Sequence, residues 1–126
     1  MRSLNGIVRT GPTSNDGENG WPNNGYQIQC KDTLDVVKAP NPIGSIIQYG
    51  PPFTSESDRD MIAKAYHPQG QWNTYDITCK GEEITVKLNG LVVTRASQIT
   101  NRSGYIGIQG EKGLLEFQDI WITRLK

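Results

Sequence analysis

The chain has 126 residues, 35% of them hydrophobic, which suits one domain burying roughly two-thirds of its unfolded surface. Thirteen basic and thirteen acidic residues cancel, which removes the positive field that draws proteins to nucleic acid or anionic lipid. No apolar run approaches the roughly 20 residues of a spanning helix, and the first six residues have no hydrophobic signal region, so neither nucleic acid nor membrane is expected as a partner.

Fourteen Gly, seven Pro and no long helical period favour an all-β chain with many turns. Cys30 and Cys79 are too few for a disulfide framework; one bridge is open if both point into the same core, and two buried free thiols are the favoured reading. In chain order, Asn5 to Arg9 is a short strand with Ile7 and Arg9 on one side and Val8 on the other. Residues 11–25 are rich in Gly, Asn and Pro and read as a loop, of the long kind that borders a site. Its Asp16, Glu18 and Asn19 offer oxygens of the type a divalent cation takes, but the spacing is not that of an EF-hand, and no metal or other cofactor is expected.

Residues 26–31 alternate, with Tyr26, Ile28 and Cys30 on one face and Gln27 and Gln29 on the other, either as solvated filler or as a hydrogen-bonding face. Pro40, Pro42, Pro51 and Pro52 leave room for one strand, Ser45 to Tyr49. Residues 55–66 read as loop with at most one helical turn. His67 stands alone and reads as a solvated loop residue, because a metal site needs several ligands.

The clearest signal lies in residues 70–95, three antiparallel strands with two turns. Asn89-Gly90 between alternating apolar residues is the preferred two-residue hairpin loop, since both central residues take positive φ. That loop sets Leu88 against Leu91 and Val86 against Val93. The turn Lys80 to Glu83 sets Cys79 against Ile84, Ile77 against Val86 and Tyr75 against Leu88. One face therefore gathers these apolar residues, and the other gathers Thr74, Asp76, Thr78, Thr85, Lys87 and Thr94. Further on, residues 103–109 alternate with Ile106 and Ile108 inward. Gly107, on the outward side, suggests close approach to the backbone. A last strand spans 115–125, with a bulge where the phase slips at Gln118-Asp119.

Gly70-Gln-Trp-Asn-Thr-Tyr-Asp-Ile-Thr-Cys-Lys-Gly, Val86-Lys-Leu-Asn-Gly, Gly104-Tyr-Ile-Gly-Ile-Gln-Gly-Glu and Leu115-Glu-Phe-Gln-Asp-Ile-Trp-Ile together resemble the second half of the 3-keto-disaccharide hydrolase domain family. Asn5-Gly-Ile-Val-Arg and Gly25-Tyr-Gln-Ile-Gln resemble its earlier strands, so the likeness covers nearly the whole chain as one domain over residues 1–126. It implies a concanavalin A-like jelly roll, here a partial antiparallel β-sandwich with long loops. Family members carry several more strands before the position of Asn5. The resemblance therefore implies exposed strand edges and apolar faces, of the kind a homo-oligomer would cover. It also suggests a bacterial periplasmic or secreted setting.

The implied activity is cleavage of glycosides or disaccharides already oxidised at carbon 3. A ketone there acidifies the proton on carbon 2, a carboxylate removes it, and the carbon 1 substituent departs. Such a site needs a base, donors for the enolate and a platform for the ring. The resemblance points to Glu111 as base, in a Gln-Gly-Glu variant of the family's more usual Asp-His ending. Arg9 is the enolate partner, Gln29 and Gln109 are hydroxyl ligands, and Trp72 or Tyr26 is the platform. Gln27 stands where the family tends to have Glu. A non-catalytic carbohydrate-binding module using Gln27, Gln29, Trp72 and Gln109 is the alternative, and a structural fragment pairing with a partner chain is the third.

Overall fold

The computed structural model describes residues 25–31, 35–50, 52–110 and 113–126 in full, and residues 6–10 as backbone. Eight strands and one helix follow in order: β1 Gly6–Thr10, β2 Gly25–Gln29, β3 Ile46–Tyr49, β4 Thr54–Ser57, α1 Arg59–Ala65, β5 Tyr75–Lys80, β6 Glu83–Leu88, β7 Leu91–Ser97 and β8 Ile106–Gln109. They form two antiparallel four-stranded sheets, β3-β2-β1-β8 and β4-β7-β6-β5. The architecture is the expected all-β sandwich. Tyr26, Ile28 and Ile46 from the first sheet meet Ile84, Val86, Leu88 and Val93 from the second.

The central meander forms as the two turns dictate. Tyr75 pairs with Leu88, Ile77 with Val86, Cys79 with Ile84 and Leu88 with Leu91. Asn89 and Gly90 take φ of 49° and 85°, the positive values that this loop requires. Beyond the turn the register departs from strict alternation. A bulge between Val86 and Lys87 pairs Lys87 with Val92 and Val86 with Thr94, not with Val93. The extra residue lets both Val93 and Thr94 turn inward. Buried Thr94 keeps its hydroxyl satisfied by sharing a 2.8 Å hydrogen bond with Ser57.

Four other expectations are corrected. Cys79 is an exposed free thiol and only Cys30 is buried, because Cys79 lies on the edge strand β5, near its turn. Residues 59–65 form a helix of about two turns, because Asp58 caps it, accepting the Met61 N–H at 2.9 Å, while Ile62 and Ala65 bury. Ile106 and Ile108 are 60% and 50% exposed. Through β1 they share the register of Tyr26 and Ile28, the core phase, yet the buried core gathers over β2 and β3 rather than over edge strand β8. The last segment, 113–126, forms no strand and is exposed except at Leu115; Trp121 reaches 84%. Its phase slip coincides with Asp119 at φ 52°.

The hairpin tip also organises the loop before β5. Asn89 Nδ2 donates to Ala65 O (2.7 Å) and to Asn73 Oδ1 (2.9 Å), and its Oδ1 accepts the Thr74 N–H at 2.8 Å. Asn73 in turn accepts the His67 N–H and donates to the His67 carbonyl. Asn89→Gly keeps the positive φ but removes all three side-chain bonds, so we expect it to lose about 2 kcal/mol in denaturant unfolding. Asn89→Ala adds backbone strain on top of that loss and is expected to be the less stable of the two.

Candidate functional site

The first sheet carries the sequence-derived site residues, and its pairing decides which of them come together. Gly6 lies opposite both Gln29 and Gln109, and Val8 opposite both Gln27 and Gly107. Directly opposed residues share a phase of the pleat. Gln27, Gln29, Gly107 and Gln109 therefore form one row on the phase away from the core, with the backbone of Gly6 between Gln29 and Gln109.

Neither amide on β2 is solvated filler. Gln27 and Gln29 are only 3% and 6% exposed, and a buried amide needs partners. Gln27 Oε1 accepts the Tyr49 hydroxyl at 2.7 Å. Tyr49 lies opposite Gly25, which has no side chain to block a lean towards Gln27 two residues on. Gln29 Oε1 accepts the Lys31 N–H at 3.2 Å. These bonds engage each carbonyl oxygen, so each Nε2 is the end left to donate. Across Gly6, Gln109 Oε1 is buried with no hydrogen-bond partner among the described residues. A Cβ added at Gly107 would meet nothing within 4 Å, so the backbone there is open instead of closely approached.

The remaining candidates fall elsewhere. Tyr26 is 0% exposed and packs edge-on against Phe53, with ring centroids 5.2 Å apart. Its hydroxyl accepts the Asn101 N–H at 3.4 Å. With no exposed face it is a core residue and not a sugar platform. Arg9 pairs with Tyr26 and Ile106, which gives it the alternate register to the amide row. Trp72 is 53% exposed in the loop before β5, where its carbonyl lies 2.9 Å from His67 Nδ1. His67 is thus a loop fastener at the surface. Glu111 and the acidic loop residues Asp16, Glu18 and Asn19 lie outside the described residues. Among the described residues no cluster of His, Cys, Asp and Glu is arranged to hold a metal ion.

One titratable group is strongly shifted. Burial, reinforced by Cys30, pushes the Tyr75 phenol well above its ordinary value of 10.0. Its hydroxyl donates to Gln29 O at 3.2 Å, tying the second sheet to the end of β2 behind the amide row. Tyr75 is protonated at working pH and acts there as a brace.

Sequence reasoning did not single out Tyr49 or Gly6. Alternation places Tyr49 on a strand, but only the β2–β3 register brings it beside Gln27.

The row offers amide donors on β2 and an unanswered acceptor on β8, with the bare backbone of Gly6 between Gln29 and Gln109 and Val8 between Gln27 and Gly107, a polar constellation of the kind that hydrogen-bonds hydroxyl and carbonyl groups. A family model described as the 3-keto-alpha-glucoside-1,2-lyase-like domain matches residues 5–123. No curated protein and no solved structure gives a significant match. The match takes in both sheets, the meander and the amide row, and the chain belongs to this 3-keto-disaccharide hydrolase family, whose fold is concanavalin A-like and whose character supports a carbohydrate-active role.

Proposed function

We propose that the protein cleaves glycosides carrying a ketone at carbon 3, by elimination across carbons 1 and 2. The observation that carries this reading is the buried amide row within the region matched to the lyase-like family. Glu111, two positions beyond Gln109, is the proposed base. It takes the proton from carbon 2, and the electron pair moves into a carbon 2–carbon 3 double bond as the ketone oxygen becomes an enolate. The enolate then re-forms the ketone, a carbon 1–carbon 2 double bond forms, and the carbon 1 substituent leaves with its bonding pair and picks up a proton. Addition of water across the new double bond completes a net hydrolysis, with no net redox change. Amide donors fit the negative charge that builds on the ketone oxygen. The role is assigned to them and not to Arg9, whose register alternates with theirs.

The test is release of the leaving group from a 3-keto-α-glucoside compared with the unoxidised α-glucoside. The proposal expects release from the ketone alone. Binding of both with release from neither would make the protein a carbohydrate-binding module.

A second reading is favoured by the exposed apolar flank. Ile106 and Ile108 lie on edge strand β8, whose outer edge has no strand partner among the described residues. Antiparallel pairing of β8 with β8 of a second copy would satisfy that edge and bring the isoleucines of both copies together across a two-fold axis. Light scattering is expected to give a mass that rises with concentration, and Ile106→Lys with Ile108→Lys is expected to return it to the monomer. A monomer at every concentration would contradict this reading.

A further inference from the structure

The two β2 amides are held in one orientation by partners that belong to the protein, and that orientation has a chemical consequence. Tyr49 Oη donates to Gln27 Oε1 at 2.7 Å, and the Lys31 N–H donates to Gln29 Oε1 at 3.2 Å. If Gln29 turned over, its Nε2 would face the Lys31 N–H and two donors would oppose one another; Tyr49 Oη, which can also accept, holds Gln27 in place through the 2.7 Å bond to its Oε1. At 3% and 6% exposure, neither amide has enough water around it to make that exchange cheap.

Opposite them, Gln109 Oε1 is buried without a partner, two strands from Gln29 and separated from it by the bare backbone of Gly6. Two strand spacings are roughly 10 Å. With both Oε1 atoms engaged, the wall on β2 presents its Nε2 donors, and the wall on β8 offers an acceptor.

We propose that Gln27 and Gln29 form a donor pair for the carbon 3 ketone oxygen, with Tyr49 as the positioning residue that aims Gln27, and that Gln109 accepts the proton of a ring hydroxyl. This rests on the 3-keto-glycoside reading and deepens it. A ketone oxygen accepts only, whereas a hydroxyl both donates and accepts, so a wall of fixed donors matches an oxidised carbon better than an alcohol. The donors also strengthen as the oxygen becomes an enolate.

The test uses a methyl 3-keto-α-glucoside labelled with carbon-13 at carbon 3, with wild type, Tyr49→Phe, Gln27→Leu and Gln29→Leu, each checked for wild-type circular dichroism. In wild type the bound carbonyl carbon is expected to move downfield, as polarisation by two donors requires. The shift is expected to shrink in Gln27→Leu and Gln29→Leu, with kcat falling about 100-fold in each and KM changing less than threefold. Tyr49→Phe keeps the ring and loses only the hydroxyl, and is expected to lower kcat about tenfold with a smaller carbonyl shift. A purely structural tyrosine would change thermal stability and leave the carbonyl signal alone. An unshifted carbonyl in bound wild type, wild-type kcat in Tyr49→Phe, or no binding of the ketone would each overturn the proposal. A shifted carbonyl without release of methanol would overturn the elimination reading and leave the donor pair standing. Turnover with an unshifted carbonyl would do the reverse.

Discussion

Tyr26→Ala is expected to destabilise the fold by about 3–5 kcal/mol, because it empties a large, fully buried site. Tyr26 bridges the layers: its ring meets Phe53 edge-on, and its hydroxyl accepts from Asn101. Total stabilities of small domains are about 5–15 kcal/mol, so the variant should unfold at much lower denaturant or fail to fold. Tyr26→Phe removes only a 3.4 Å hydrogen bond and should cost about 1 kcal/mol. Trp72→Ala, at a half-exposed loop residue, should also cost no more than about 1 kcal/mol. Equilibrium denaturation in urea measures all three. Equal losses for Tyr26→Ala and Trp72→Ala would contradict the division between core and surface aromatics.

Glu111→Gln is expected to lower turnover of a 3-keto-α-glucoside by about 100- to 10,000-fold, the usual contribution of a positioned general base. The substitution keeps size and hydrogen-bonding capacity but cannot accept the carbon 2 proton at neutral pH. Affinity for the intact ketone should change little, since the amide row is untouched. Steady-state kinetics together with calorimetric binding separate the two effects: a fall in kcat with unchanged affinity is the signature of a lost base. A rise in KM alone would make Glu111 a binding residue.

The meander shows what a sequence can specify. Asn89-Gly90 and Gly81-Glu82 are short turns with few geometries, and the pairs they fix, Tyr75 with Leu88 through Cys79 with Ile84, follow by counting. Counting failed where an extra residue entered. The bulge at Val86/Lys87 sends Thr94 inward, where it meets Ser57 on β4, and no local residue type announces it. Cys79 and Ile108 show a related limit. Each has the phase of the core, but phase says which way a residue faces and not whether another layer covers it.

The site was legible in the same partial way. Alternation put Gln27 and Gln29 on one face and Gln109 on an outward face, and the pairing joins them through Gly6 and Val8. Their burial, and the bond from Tyr49 that fixes one of them, depend on the neighbouring strand and could not be counted from β2 alone. Tyr26 illustrates the opposite error: alternation already set it on the face of Ile28, and its full burial against Phe53 leaves no face for a sugar ring.

Nuclear magnetic resonance of a 3-keto-α-glucoside with the protein in deuterium oxide tests the central claim most directly. Proton abstraction at carbon 2 predicts loss of the carbon 2 proton signal together with appearance of the free leaving group, neither occurring with the unoxidised glucoside. Release of the leaving group with the carbon 2 proton retained would contradict elimination, and an unchanged spectrum would contradict the enzymatic reading altogether.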